Sequence, residues 1–370
     1  MNAPKQITMA ELARLAEVST ATVSMSLNQS KKIPQATRDR ILKLAQQHGY
    51  HPNPNLSALM HCRRKRLPAE SRAMLALVNG LEHPEAWRRS PYPSQRLLLE
   101  GALARARELG YQPEQFWLHQ DGMSPKRFSQ MLRVRGISGL LMGPLLDDTP
   151  PPALDWESFC AVGSDVLYRS VPLHVVCSDH ICSGMRIVNE CQRLGYRRPG
   201  LVLDQGQRMH FQGLLEAGFL AAAASLPEVK AVPPLHMESF QERGKFNGDA
   251  FFRWLERRQP DVIVSLDAEF LERVLKDHGW RVPRDLGLAS LECAEIGDRF
   301  SGICQQGRVT GATAINVLAN LVERDERGRP GQPITTLIEG GWNPGQTLAP
   351  TKKATSVAPQ AAERPKRRAK

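Results

Sequence analysis

The stretch Ile7–Gly49, ITMAELARLAEVSTATVSMSLNQSKKIPQATRDRILKLAQQHG, decides how the chain is read. It holds two short helices and a longer third, separated by tight polar breaks. Thr8-Met9-Ala10-Glu11 is a capping box, in which the Thr8 hydroxyl accepts an orphan amide and Glu11 reaches back to the Thr8 N–H. Leu12, Leu15 and Ala16 follow at i, i+3, i+4 as an apolar stripe. Ser19 is a good N-cap for a second helix, Thr20–Leu27, with Val18, Val23 and Leu27 toward a core. That leaves Thr20, Ala21, Ser24, Met25 and Asn28 facing outward. All are small or uncharged, so this helix fits a DNA major groove about 12 Å wide. Pro34 and Thr37 open the third helix, Ile41, Leu44 and Ala45 pack it, and Gly49 ends it.

Downstream, Asn53-Pro54 pairs an N-cap with Pro at the first helical position. The helix it starts, Asn55–Met60, is too short to persist alone and needs a partner to fold against. Its apolar residues are Leu56, Leu59 and Met60, and a leucine of this kind can wedge open a minor groove. Arg63-Arg64-Lys65-Arg66 follows. Residues 1–66 carry eleven Lys/Arg against three Asp/Glu, and residues 351–370 carry seven against one. The net charge of +11 therefore sits at the two ends of the chain, and the stretch between them is mildly acidic. A basic head on an acidic body points to a polyanion partner at the head.

At 370 residues the chain has room for two or three domains. It has no run of about 18 apolar residues, which excludes a helical membrane span. MNAPKQITMAEL lacks the apolar core of a secretion signal, so a cytoplasmic location is expected. The seven cysteines form no C-x-x-C pair and the ten histidines show no metal spacing, so neither a metal nor another cofactor is expected. Most of the cysteines read as small core residues. Ser178-Asp179-His180 contains the residue types of a hydrolytic triad, but adjacent side chains cannot converge as a triad requires. No G-x-S-x-G, P-loop or H-E-x-x-H occurs, and an enzyme is not expected.

From Ala73 onward, short apolar runs alternate with amphipathic stretches. Strands are predicted at 74–78, 139–142, 159–162, 175–177, 200–203, 262–265 and 287–291. Helices are predicted at 94–109, 125–135, 182–194, 212–224, 250–258, 269–278 and 310–324. Apolar runs of this kind mark parallel strands covered on both faces, and the alternation indicates a doubly wound α/β body. Ligands of such folds bind beyond the carboxyl ends of the strands. The Pro-, Ala-, Lys- and Arg-rich segment 349–370 has no apolar period and is predicted to be disordered.

The head resembles that of lactose-repressor-type (LacI/GalR) transcription regulators. The resemblance is carried by A-x-x-A-x-V-S-x-x-T-V-S from Ala13 to Ser24, Leu27-Asn28, Thr37-Arg38 and Gly49-Tyr50-x-Pro52-Asn53. Weaker marks continue it through the body to about residue 348: Gly101, Leu109-Gly110-Tyr111, Gly195-Tyr196-Arg197-Arg198, Ala217-Gly218-Phe219, Pro260-Asp261-Val262-Ile263 and Val282-Pro283-Arg284-Asp285-Leu286-Gly287. It implies an all-α helix-turn-helix head over 1–52 and a hinge helix with basic linker over 53–72. A two-lobed, periplasmic-binding-protein-like α/β core of doubly wound parallel sheets would follow over 73–348, then a tail over 349–370. The chain would pass between lobes near residues 174, 306 and 333.

By the same resemblance, Thr20, Ala21, Ser24 and Met25 face base edges, Asn28 and Thr37 bind phosphates, and Leu59 enters the centre of the operator. Thr8, Met9, Ser19, Tyr50, Asn53, Leu56 and Met60 complete the implied DNA-binding set. The implied partners are a double-stranded operator, a second copy of the chain and a small-molecule effector of unknown identity, with no membrane. The expected function is a transcription regulator, by default a repressor, associated with the cytoplasmic nucleoid. The alternatives are an effector-independent regulator with a vestigial pocket and, against the evidence of the head, a solute-binding protein. For the effector, Asp179, Leu215, Asp267 and Glu292 stand where the family places contacts, and Trp87 and Tyr92 lie in the loop after the first strand. Asp179 and Asp267 read equally well as helix caps. Leu215 and Leu266 replace polar residues usual in sugar-binding members, which predicts a less polar ligand or none.

One departure is testable directly. Family members usually carry Arg where this chain has Met25. Arg reads guanine through two hydrogen bonds worth about 1–3 kcal/mol of discrimination. Met25→Arg is expected to move the selected half-site toward guanine at one position, and an unchanged selected motif would remove residue 25 from the base-facing set.

Overall fold

The structure is a computed structural model that describes residues 9–27, 33–47, 73–120, 122–145, 151–238 and 248–351. The chain divides into two compact units at Ser71/Arg72.

The head consists of α1 (Met9–Leu15), α2 (Thr20–Leu27) and α3 (Gln35–Gln47). Leu12, Ala13, Ala16, Val23, Ile41 and Ala45 form its core, with Val18 and Leu44 packed against it. The α1–α2 turn is made by Glu17 at φ +50° and closed by the Val18 amide donating to the Ala13 carbonyl at 3.0 Å. Ser19 begins α2 as predicted, its Oγ accepting from the Thr22 amide at 3.1 Å. Arg40 on α3 donates to the Ala16 carbonyl at 3.0 Å, tying the third helix to the end of the first. Small residues keep three short helices within reach of one core, which their individual lengths could not sustain.

The body contains two six-stranded sheets. The first runs β11-β5-β4-β3-β1-β2 and the second β12-β10-β9-β8-β6-β7. The first-sheet strands are β1 (Met74–Gly80), β2 (Gln112–Trp117), β3 (Gly139–Leu145), β4 (Cys160–Gly163), β5 (His174–Ser178) and β11 (Thr335–Ile338). The second sheet comprises β6 (Pro199–Asp204), β7 (Leu235–Met237), β8 (Val262–Ser265), β9 (Gly287–Cys293), β10 (Gly302–Cys304) and β12 (Gly341–Asn343). Every pairing is parallel except β10 with β12. The seven predicted strands form the interior of these sheets. The five not predicted are the four edges and the three-residue β10 beside one of them. Edge strands are short and carry polar residues, as in the QPEQFW of β2, so they show no apolar run.

The body helices are α4 (Pro93–Glu108), α5 (Pro125–Val134), α6 (His180–Arg193), α7 (Gln205–His210), α8 (Leu214–Ser225), α9 (Gly248–Arg258), α10 (Ala268–Asp277) and α11 (Gly307–Arg324). Two corrections to the sequence reading matter for the site. The helix predicted over 212–224 is α8, which starts at Leu214 because Gln212 and Gly213 take φ of +52° and +71°. It is preceded by a helix that was not predicted, α7, which has its own capping box between Asp204 and Gln207. The crossings also move. The chain leaves the first sheet after β5, at Asp179 rather than near 174, and its last passage lies at Glu339-Gly340, between β11 and β12, rather than near 333. The middle crossing, between β10 and α11, is at Gln305-Gln306 as expected.

Each lobe contains one helix pair in backbone contact. In the second lobe a Cβ on Gly218 of α8 would lie 2.1 Å from the Ile181 carbonyl oxygen, and one on Gly184 of α6 would lie 2.3 Å from that of Leu215. In the first lobe Gly101 of α4 and Gly311 of α11 meet the carbonyls of Arg308 and Leu98 in the same way. This gives the Ala217-Gly218-Phe219 motif its physical reason. Helix propensity alone favours Gly218→Ala by about 1 kcal/mol. The missing space reverses the sign, and a loss of about 1–3 kcal/mol is expected, read as a lowered unfolding midpoint of the full chain.

Candidate functional site

A cavity of about 300 Å³ lies between the two lobes, at the carboxyl ends of both sets of strands. The first lobe supplies the loop after β1, the turn after β4 and the end of β5. The second supplies α7, the end of β9 and Leu266 after β8. The loop after β1 is fixed by Asn79, whose Nδ2 donates to the His83 and Pro84 carbonyls at 3.0 Å each.

Three polar contacts cross the cleft. Asp165, after β4, meets His210, the last residue of α7, with Oδ2 and Nε2 3.2 Å apart. Glu292, at the end of β9, accepts from the Ser94 amide in the first turn of α4 at 2.6 Å. Gln207 Nε2 on α7 donates to Tyr92 Oη at 3.5 Å and to Asp267 Oδ2. The Phe211 ring lies against both histidines, its centroid 4.6 Å from that of His180 and 4.9 Å from that of His210.

Burial and pairing set the charges. Burial alone would raise the Asp165 carboxyl, but the His210 charge and hydrogen bonds from His210 and the Leu167 amide more than offset it and hold the pKa below the ordinary range. Burial lowers His180 to about 4, against the pull of Asp165, so its ring is neutral at pH 7. Burial pushes Glu292 up to about 7, with the Ser94 hydrogen bonds and Arg96 acting the other way. Burial likewise raises Asp267, opposed by its hydrogen bond from Gln207. Among the described residues, His180 Nδ1 is a buried ring nitrogen with no hydrogen-bond partner, and His180 is on the cavity wall. The cavity thus presents hydrogen-bonding groups with little net charge.

Of the six residues expected to touch an effector, Tyr92 and Glu292 line the cavity. Trp87 does not. Its indole is fully buried in the first-lobe core, where its Nε1 donates to the Gln95 carbonyl at 2.9 Å. Leu215 does not either, being buried in the second-lobe core beside Phe219. Asp179 N-caps α6 by accepting from the Cys182 amide at 2.8 Å. Asp267 stands behind the wall and holds Gln207. With Leu215 turned inward, only Leu266 of the two leucines reaches the cavity, and the wall is more polar than the sequence reading expected. The residues that reading missed are Asp165 and Gln305 on connecting turns, Gln207 and His210 on the short α7, and His180 at the start of α6. The capping pair Asp204/Gln207 was the one local signal for α7.

In the head, Ser19 and Thr20 are exposed, and Met25 and Thr37 are half-buried. Met9, Ala21 and Ser24 lie in helices, with their side chains outside the described set. Thr8, Asn28, Tyr50, Asn53, Leu56, Leu59 and Met60 fall outside the described residues, as do the hinge helix and the segment 352–370.

A helix-turn-helix head and a two-lobed α/β core, carried on one chain, define a DNA-binding transcription regulator. Residues 8–53 match the family model described as "Bacterial regulatory proteins, lacI family". The match covers the head, so the lacI-type assignment is made for residues 8–53. It is 24% identical to the HTH-type transcriptional regulator CelR of Thermobifida fusca over 361 residues, 92% of this chain and 97% of that protein. It is 42% identical to the transcriptional repressor CytR of Escherichia coli K12 over 87 residues, 23% of this chain and 24% of that protein. Among solved structures, a CelR–cellobiose complex is similar at TM-score 0.58 and 18% identity, covering 92% of this chain and 99% of that one. The Lac repressor dimer bound to operator and the anti-inducer ONPF is similar at TM-score 0.53 and 16% identity, covering 93% of this chain and 100% of that one. No helix among the described residues is long and apolar enough to cross a membrane.

The raised Glu292 carboxyl has a measurable consequence. Its folded pKa of about 7 exceeds the ordinary 4.5, so its contribution to stability is full below about pH 4.5 and is lost as pH rises through 7. Glu292→Gln keeps an acceptor for the Ser94 amide and removes the ionisation. The variant is expected to gain about 1–3 kcal/mol relative to the parent between pH 5 and pH 8, measured by denaturant unfolding at both values.

Proposed function

We propose that the chain acts as a homodimeric repressor on a pseudo-palindromic operator and is modulated by a small molecule bound between the lobes. Two heads enter successive major-groove half-sites, with Thr20, Ala21, Ser24 and Met25 toward base edges. The paired hinge segments, with Leu59 at the centre, open the minor groove between them. Effector binding shifts the lobes between two arrangements and so changes how the bodies present the hinges, which requires different affinities for the two states. This reading places the working protein in the cytoplasm, on the nucleoid, with boundaries near residues 52, 72 and 348 and no catalytic step.

The observation that carries it is the coincidence, in one chain, of the lacI-type head with a polar cavity of about 300 Å³ at the strand ends of two lobes. That cavity favours an effector-responsive protein over one with a collapsed pocket. A wall rich in hydrogen-bonding groups and poor in net charge suits a neutral hydroxylated ligand, since each unpaired polar group it buries must find a partner. The binding of cellobiose by CelR supports the same class.

Selection of bound sequences from a random duplex pool at near-physiological salt tests the reading. A two-fold symmetric motif with a flexible central step is expected, and enrichment of an asymmetric motif would contradict the dimer. On the selected duplex, Leu59→Ala is expected to weaken binding and reduce bending in a gel-phasing assay. Unchanged bending would remove Leu59 from the wedge position.

A further inference from the structure

The contact between Asp165 and His210 joins one lobe to the other. Asp165 follows β4 and caps the helical turn Val166–Ser170 of the first lobe through the Leu167 amide, 2.9 Å from Oδ1. His210 ends α7, which belongs to the second lobe. Both side chains are about nine-tenths buried, at 10% and 11% exposure, and their charged atoms are 3.2 Å apart. The carboxylate is fixed by its own cap and the imidazole by the short helix and the Phe211 ring, so the pair cannot reform by simple side-chain rotation once the lobes separate. A buried ion pair contributes little against an apolar alternative, but separating its halves or removing one is costly.

We propose that Asp165 and His210 are positioning residues that clasp the lobes closed across the effector cleft, and that the clasp is released when His210 loses its proton. The inference rests on the reading of the cleft as an effector site that opens and closes. It adds that closure is coupled to proton uptake before any ligand arrives. Histidine is the side chain whose charge changes in the physiological range. Asp165 remains ionised there, because its carboxyl is held below its ordinary range. The clasp is therefore complete while His210 carries its proton and weakens as rising pH removes it.

Other titratable groups facing the pair are accounted for. His180, at the start of α6, is neutral throughout this window. Tyr168, on the turn that Asp165 caps, titrates well above it. Asp179 is occupied in capping α6. Glu292 bridges the lobes through Ser94 and titrates near 7 in the same direction, so the test is made in a Glu292→Gln background.

The experiment uses the full chain, without ligand, spin-labelled through bioorthogonal residues at the exposed Lys126 in the first lobe and Lys230 in the second, diluted with unlabelled protein. Inter-label distances are read by electron–electron double resonance from pH 5.5 to 8.5. A single short-distance population is expected at low pH, with a longer one growing in as pH rises. His210→Gln and Asp165→Asn are each expected to lose the short population at low pH and, with it, the pH profile. A distance distribution independent of pH in the Glu292→Gln protein overturns the clasp without calling on the other variants, so a folding defect in either cannot decide the matter. A His210→Gln profile that matches its parent overturns it as well. Operator selection on the same protein separates the two readings. An enriched motif with pH-independent distances defeats the clasp alone, and a pH-dependent distance with asymmetric enrichment defeats the dimeric-operator reading alone.

Discussion

Parallel strands cannot be joined by tight turns. Each return must run across a face of the sheet, and all carboxyl ends then open on one edge. Both lobes of this protein obey that constraint, and most of what is distinctive about the molecule follows from it. The helices must cover the sheets, so two helix pairs approach until only glycine fits, at Gly218 against Ile181 and at Gly101 against Arg308. The loops at the carboxyl edges are left to build the cavity. Because the two edges face each other, residues as distant in sequence as Ser94 and Glu292 share a hydrogen bond.

The cavity shows how similar residues acquire different roles from their surroundings. Three of the acids at or behind its wall differ in state. Asp165 is kept ionised by a histidine, Asp267 is engaged with Gln207, and Glu292 rises toward neutrality because burial outweighs its contacts with Ser94 and Arg96. Two histidines differ in the same manner, His210 facing a carboxylate and His180 kept neutral by burial. The wall consequently has many donors and acceptors with its charges internally matched. Such a surface suits the neutral polar ligand proposed, which it would select by hydrogen-bond geometry rather than by attraction.

Periodicity and capping made the head legible down to individual core residues, because its helices are local and Ser19, Val23 and Ile41 act where the pattern placed them. Interior strands were equally legible, since burial on both faces writes an unbroken apolar run. Edge strands were not, because β2 and β11 alternate with solvent. The short helix α7 was hidden because its six residues QGQRMH carry no apolar period, and it ends just before two residues with positive φ, Gln212 and Gly213. The cavity was the least legible part. Its place in the loop after the first strand gave Trp87 as a contact and a family position gave Leu215, whereas the indole fills space beside Gly143 that no Cβ could share, and the leucine is buried in the second core. Asp165 and His210 meet only after both lobes have folded, and no spacing in the sequence encodes that meeting.

The three passages between lobes are not three separate tethers. Gln305 on the middle one accepts from Ser178 Oγ through its backbone carbonyl at 3.4 Å and from Ser183 through its side chain at 3.3 Å, while its Nε2 donates to the Leu291 carbonyl at 2.8 Å. Arg186 on α6 donates to the Gly340 carbonyl of the last passage at 2.7 Å. A single strand between two rigid bodies would leave them free to slide, swing and twist. Three strands laced side by side suppress sliding and most twisting, and leave bending about one line as the soft mode. That bending is the coordinate that widens or narrows the cavity, and it is the motion an effector of the proposed kind would bias.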